Sequence, residues 1–296
     1  MARIIIDSHN HIINQPEPVW GWGPKFTVEQ LIAMMDREYD VMGEVKRVSK
    51  AIVMTGLGLT SLGDHTMREA HEYVIQSVLK YPDRLFMNAV MNPRLWGSAE
   101  MDQLNQWQEQ YNLRMLKIHP TMHNYLLPMF NPYPGNHSRE LVYPIWEKAR
   151  ELDVPIMIHM GESPFSIPAT VAPVAETFPD VPIIVAHAGA NNEESYATDA
   201  ILLARTHDNV FLECSWVQPL DLQQAAHGLG ADKLIFGSDG APNAINQQLR
   251  NITNLHLPSP LGIGLSEDEI YKMIGGNIAQ LCKIPLEEPV RAQHVG

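Results

Sequence analysis

The chain has 296 residues, 45% of them hydrophobic, and a formal net charge of -13. That length suits one large domain or two ordinary ones, and the apolar fraction is enough for a sizeable core. The acidic balance, uninterrupted by any basic cluster, argues against a nucleic-acid or anionic-membrane partner.

The first element, "RIIID", runs straight into "SHNHI". Ile4, Ile5 and Ile6 suit a strand buried on both faces. On a regular strand Asp7, His9 and His11 share one face. "TVEQLIAMMDREY" follows as a helix, with Thr27 as its cap and Glu29 and Gln30 in its first turn. The alternation then repeats: "SKAIVMTG" and "MREAHEYVIQSVLKYPDR", "LFMNAVMNP" and "SAEMDQLNQWQEQY", "RMLKIHP" and "SRELVYPIWEKARELD". "VPIMIHMGE" leads to "PATVAPVAETFPD", "VPIIVAHAGA" to "NEESYATDAILLARTHD", and "NVFLECSWV" to "LDLQQAAHGLGADK". "KLIFGSDGAP" leads to "AINQQLRNITNL", and "SEDEIYKMIGGNIAQLC" closes the chain as an extra C-terminal helix.

Strict strand–helix alternation implies parallel strands joined by crossover helices. Eight units in this length predict an α/β fold, a distorted (β/α)8 TIM barrel occupying residues 1–296 as a single domain. A doubly wound open sheet is the alternative, but its usual Gly-rich turn after the first strand is replaced here by "DSHNHI". The long segments 13–26 and 120–137 both follow a strand, which puts them on the catalytic rim of a barrel. Cys214 and Cys282 have no metal-binding spacing and fit a reducing compartment. With no signal-like or membrane-spanning run, a cytoplasmic protein is expected. Association of copies through the outer helices is compatible with such a barrel.

The polar residues gather where strands end. His9 and His11 end strand one, Lys117 and His119 strand four, His159 strand five, His187 strand six and Asp239 strand eight. In a parallel barrel these ends converge on one mouth. Any one such histidine reads best as a satisfied core or rim residue. Five histidines and an aspartate together need a charge to organise them, because unpaired buried polar groups cost about 1–3 kcal/mol each. A divalent cation with nitrogen and oxygen ligands supplies that charge. Zn²⁺ suits three histidines and a carboxylate, and Mn²⁺, Fe²⁺ and Co²⁺ are compatible.

Taken in order, "DSHNHI", "KIHP", "IHMGE", "AHAGA", "FGSDGAPN" and "IGGNIAQLC" resemble the amidohydrolase superfamily. They look most like its amidohydrolase-related branch, which holds metal-dependent hydrolases and decarboxylases. The resemblance implies one divalent ion held by His9, His11, His159 and Asp239, with His187 as acid/base or polarising residue. Binuclear relatives carry a carboxylated lysine near the place of Lys117. His119 lies nearer the strand's end, so one metal is expected, with Lys117 structural and His119 facing substrate.

A bound cation can lower the pKa of its water to about 7, and Asp239 can take up that water's proton. His187 can polarise a carbonyl or return a proton to a leaving group. Asp7 reads either as an acceptor orienting one imidazole or as a plain structural hydrogen-bonder. Trp20 and Trp22 in "PVWGWGPKF", with Phe26, read as a wall for a flat small-molecule substrate or as loop packing. Tyr125, Phe130, Tyr133 and His137 join the same rim. Arg94 reads as a carboxylate binder or a surface ion pair, and Glu162, Glu213 and Ser215 as substrate contacts. His65, His71, His123, His207, His227, His256 and His294 read as surface or packing residues, and the glycines of "IGGN" as sites of close helix packing.

The expected activity is hydrolysis of a small cyclic or planar amide, ester or lactone by a metal-activated water. The alternative is non-oxidative decarboxylation of an aromatic or unsaturated acid, which a pair of basic residues at the mouth would favour. Arg94 is the one arginine in such a place, which inclines the reading to hydrolysis. A non-catalytic scaffold would be expected to lack a ligand, and none of the expected ligand positions is empty.

Overall fold

The computed structural model describes residues 3–15, 25–129, 138–190, 195–240 and 245–289. All eight predicted strands form and pair in parallel, each with the next. They are β1 (Ile5–His11), β2 (Val48–Met54), β3 (Leu85–Met91), β4 (Leu113–Ile118), β5 (Ile156–Ile158), β6 (Ile183–Val185), β7 (Val210–Glu213) and β8 (Leu234–Ile235). The ring is nearly closed. β8 and β1 share no ladder, but Asn10 bridges Gly240, and the His11 and Ser8 amides donate to the carbonyls of Gly240 and Phe236 at 2.6 and 3.3 Å. Asp7 Oδ1 completes the seam by accepting from the Ser238 amide at 2.8 Å.

Two apolar layers follow from strand alternation. Ile4, Ile6, Ile52, Met54, Met115, Met157, Ile184 and Ile235 pack together inside the barrel with Ile278, Ala279 and Cys282 of the closing helix. Ile5, Ala51, Val53, Leu116, Ile158 and Val185 face the outer helices. The first of those helices starts at Thr27, as the sequence implies. Thr27, Thr66 and Ser266 each cap a helix with a reciprocal bond to the Gln or Glu three residues on.

One predicted helix ends early. "TVEQLIAMMDREY" is helical only over Val28–Met35, and Tyr39–Val41 instead pairs antiparallel with Glu44–Lys46. The two-residue turn between them is Met42-Gly43, both at positive φ, 54° and 86°. A tight hairpin of this hand requires that conformation, and the glycine adopts it readily. No helix among the described residues is long and apolar enough to cross a membrane.

Candidate metal centre

Alternation inside the barrel carries polar side chains upward from apolar ones. Lys117 and His119 follow Met115 on one face of β4 and its extension, His159 follows Met157, Glu213 follows Phe211, and Asp239 follows Ile235. β1 is different. Ile4 and Ile6 already face inward, so strict alternation would send His9 outward with Ile5. The β1–β2 register shifts between Asp7 and Asn10, and beyond this irregularity His9 and His11 face the site. The expectation that Asp7 shares their face is corrected accordingly. Asp7 accepts from the backbone amides of Ser238 and His9, and among the described residues it bonds to no imidazole, which favours the structural role.

His9 Nε2 and His11 Nε2 lie 3.3 and 3.6 Å from Asp239 Oδ1. The other nitrogen of each ring faces an acceptor: His9 Nδ1 meets Glu213 Oε2 at 3.0 Å and His11 Nδ1 meets the Thr55 carbonyl at 2.9 Å. Each therefore carries its proton on Nδ1 and presents the Nε2 lone pair to Asp239. Burial, with Lys117 nearby, holds His9 far below its ordinary pKa, and burial lowers His11 too, so both rings are neutral donors. Burial alone would raise Asp239, but the hydrogen bond from the Trp216 indole and the nearby Lys117 ammonium help keep its carboxyl below the usual range. Trp216 Nε1 donates to Asp239 Oδ2 at 2.5 Å, leaving Oδ1 turned to the imidazoles. Two neutral nitrogens and one ionised oxygen, convergent and buried or, for His11, half-buried, fit a divalent cation. Lys117 Nζ lies 3.3 Å from His9 Nε2 and supplies positive charge beside these donors, burial holding it down at about 8.

The other histidines form a second row. His187 Nε2 is 3.1 Å from His159 Nδ1, and His187 Nδ1 is 2.8 Å from Ser215 Oγ. His159 Nε2 faces Glu162 Oε1 at 3.3 Å, and the His119 ring stacks on His159 with centroids 3.7 Å apart. His159 thus groups by ligand-atom spacing with His119 and Glu162, and reaches the His9–His11–Asp239 set through His187. His119 differs in tautomer. Its Nδ1 accepts from the Met122 amide at 3.1 Å, so its proton sits on Nε2 and the ring is a donor. His187, Trp216 and Asp239 all have left-handed backbone, with φ of 60°, 64° and 53°. Bulky residues held there at three successive strand ends mark strain kept where side chains must be aimed.

Arg94 is exposed and donates to the Asn124 carbonyl at 2.7 Å. Trp20, Trp22, Phe130, Tyr133 and His137 lie outside the described residues. The sequence reading missed how Glu213, Ser215 and Trp216 act. They hold the imidazoles and Asp239 in place, and the available signal was an acid at an inward position of an otherwise apolar strand, "NVFLECSW".

Comparison with solved structures places the fold among known barrels. A dihydroxybenzoic acid decarboxylase from Polaromonas sp. JS666, with bound manganese and 2-nitroresorcinol, superposes with a TM-score of 0.65 at 16% identity, over 95% of this chain and 97% of that one. A probable 2-pyrone-4,6-dicarboxylic acid hydrolase from Acinetobacter baumannii gives 0.60 at 14%, over 96% and 100%. A 4-oxalomesaconate hydratase from Rhodopseudomonas palustris gives 0.58 at 14%, over 95% and 96%. At these identities the likeness shows the fold alone. Comparison with curated proteins yields no match. The profile of the amidohydrolase family matches residues 6–283, nearly the whole chain, and on that ground the chain belongs to the amidohydrolase family.

Proposed function

We propose that this protein is a metal-dependent hydrolase of a small cyclic or planar amide, ester or lactone. The observation that carries the reading is the single oxygen, Asp239 Oδ1, faced by the Nε2 atoms of His9 and His11. A divalent cation bound there would polarise a carbonyl and bring the pKa of a water to about 7. His9, His11 and Asp239, with His159 as third imidazole, are the residues to hold it; Zn²⁺ is the first choice and Mn²⁺ the second. Asp239 is ionised and fixed by Trp216, so it can accept the proton of the attacking water. His187 keeps its Nδ1 proton toward Ser215, so its Nε2 lone pair could take over the proton collected by Asp239 and return it to the leaving group. His119, a donor at Nε2, would grip a substrate oxygen. Arg94, Trp20 and Trp22 would bound the substrate on the loop side.

The second reading, a carboxy-lyase acting on an aromatic or unsaturated acid, draws on the likeness to the manganese-bound decarboxylase and on Lys117, a buried cation beside His9 that could face a carboxylate. One experiment separates the two. The protein is incubated in H₂¹⁸O with lactones, cyclic amides, esters and hydroxybenzoates. Hydrolysis places one ¹⁸O in the product and releases no carbon dioxide. Carbon dioxide release without ¹⁸O in the ring product would replace the hydrolase reading with the lyase. Silence on the whole panel at saturating metal would count against both.

A further inference from the structure

We propose that Glu213 is the positioning residue of this site, a single carboxylate that sets the tautomers of His9 directly and of His187 through Ser215. The proposal rests on the metal reading above for its consequence in function, and on hydrogen-bond geometry for itself. Four donors converge on Glu213. His9 Nδ1, the His187 amide and Ser215 Oγ meet Oε2 at 3.0, 3.1 and 2.9 Å, and the Ser215 amide meets Oε1 at 2.7 Å. An ionised carboxylate only accepts, so each partner must bring a proton.

That requirement propagates. His9 is protonated on Nδ1, and its Nε2 lone pair faces Asp239. The Ser215 hydroxyl proton is committed to Glu213, so the oxygen it offers His187 Nδ1 at 2.8 Å can only accept. His187 is therefore also an Nδ1–H ring, and its Nε2 lone pair receives the Nδ1 proton of His159 at 3.1 Å. His159 is left with Nε2 turned to Glu162 Oε1 at 3.3 Å. One carboxylate at the end of β7 thus orders three imidazoles contributed by three other strands. Neither His9 nor His187 needs to be charged for this: the Nε2 lone pair of His9 faces Asp239, and that of His187 accepts from His159.

The barrel is built around this group. Glu213 is fully buried, a placement that costs several kcal/mol for a carboxylate unless many donors meet it, roughly as they do here. The segment after β8 makes room with glycine: a Cβ on Gly237 would sit 2.4 Å from Glu213 Oε1 and 2.9 Å from His9 Cβ. A mere filler of this space would need neither the charge nor the glycine.

The test is performed on the full chain, labelled with ¹⁵N-histidine and freed of metal by chelation, using long-range ¹H–¹⁵N spectra to read each ring's tautomer. The wild-type protein is expected to show His9 and His187 as Nδ1–H; either ring found as Nε2–H overturns the proposal before any substitution. Glu213→Leu, which fills the space without acceptors, should release both rings from that tautomer. It should also weaken Zn²⁺ binding about 10–100-fold, the usual effect of losing such a partner. Ser215→Ala should release His187 alone, keep Zn²⁺ affinity within about threefold of wild type, and lower kcat more than it changes KM. Should Glu213→Leu fail to fold, the wild-type tautomers and Ser215→Ala still decide. Unchanged His187 in Ser215→Ala, or a Zn²⁺ loss there as large as in Glu213→Leu, overturns the relay. A wild-type chain that shows both tautomers but binds no Zn²⁺ or Mn²⁺ would sink the metal reading and leave the positioning role standing.

Discussion

An aspartate oxygen faced by two neutral imidazoles has little reason to be buried unless something positive joins it. Asp239→Ala is therefore expected to reduce turnover at least 10³-fold and to weaken metal binding, measured by competition with a chromogenic chelator. Full metal and full activity in that variant would refute the ligand map. His187 stands one ring away, tied to Ser215 and His159, and His187→Ala should keep the metal while losing turnover. Loss of metal there would make His187 a ligand. Much at this scale could be read from sequence, because a histidine or acid ending an apolar strand stands out against its own alternation. The roles were harder to read. Whether a histidine offers a lone pair or a proton depends on partners such as Thr55, Met122 and Ser215, which are distant or unremarkable in the chain. The inward turn of His9 rests on a register shift that no local pattern announces.

At the scale of elements, the strands and helices were legible because the strands are short apolar runs in alternation with helical patterns, and Thr27, Thr66 and Ser266 cap the helices they start. The Met42-Gly43 hairpin was not, since "DREYD" continues a helical pattern until the turn overrides it. Gly275 of "IGGNIAQLC" does serve close packing. A Cβ on Gly275 would lie 2.3 Å from the Ile4 carbonyl oxygen of the strand leading into β1. Gly275→Ala should therefore destabilise the fold by about 1–3 kcal/mol in urea titration. A variant as stable as wild type would mean that the π-helical turn Lys272–Gly276 yields freely. His71 joins its helix to β3 in the same way. Its Nδ1 donates to the Met67 carbonyl at 2.7 Å, and its Nε2 accepts from the Val90 amide at 3.0 Å, which only the neutral ring can do. Burial pushes its pKa down to about 4 from 6.5. A folded pKa below the unfolded one means the stabilisation is complete above pH 6.5 and is lost as pH falls toward 4. That amounts to roughly 3 kcal/mol by linkage. Urea titrations at pH 7 and pH 4.5 should show this loss in the wild type and a smaller one in His71→Gln. Equal losses in the two proteins would remove His71 from the account.

For the whole molecule the question is what holds so many donors at the mouth of one barrel. Eight strands and the closing helix fill the interior below with apolar side chains, so the barrel stands without the site. The site instead concentrates the lone pairs of His9 and His11 and the charge of Asp239 beside the ammonium of Lys117. A cation that binds this folded arrangement and not the unfolded chain must stabilise the fold by mass action, about 2.7 kcal/mol at a hundred times its Kd. Adding Zn²⁺ or Mn²⁺ to protein purified without a histidine tag should raise Tm with metal concentration, and chelation should reverse the rise. Elemental analysis of the same protein should give a metal content near one per chain. A content near two would draw Lys117 into the site as a ligand and favour hydrolysis. A Tm indifferent to every divalent ion, with no metal retained, would mean that Lys117 is the charge these donors were built to meet, and the metal reading would fall.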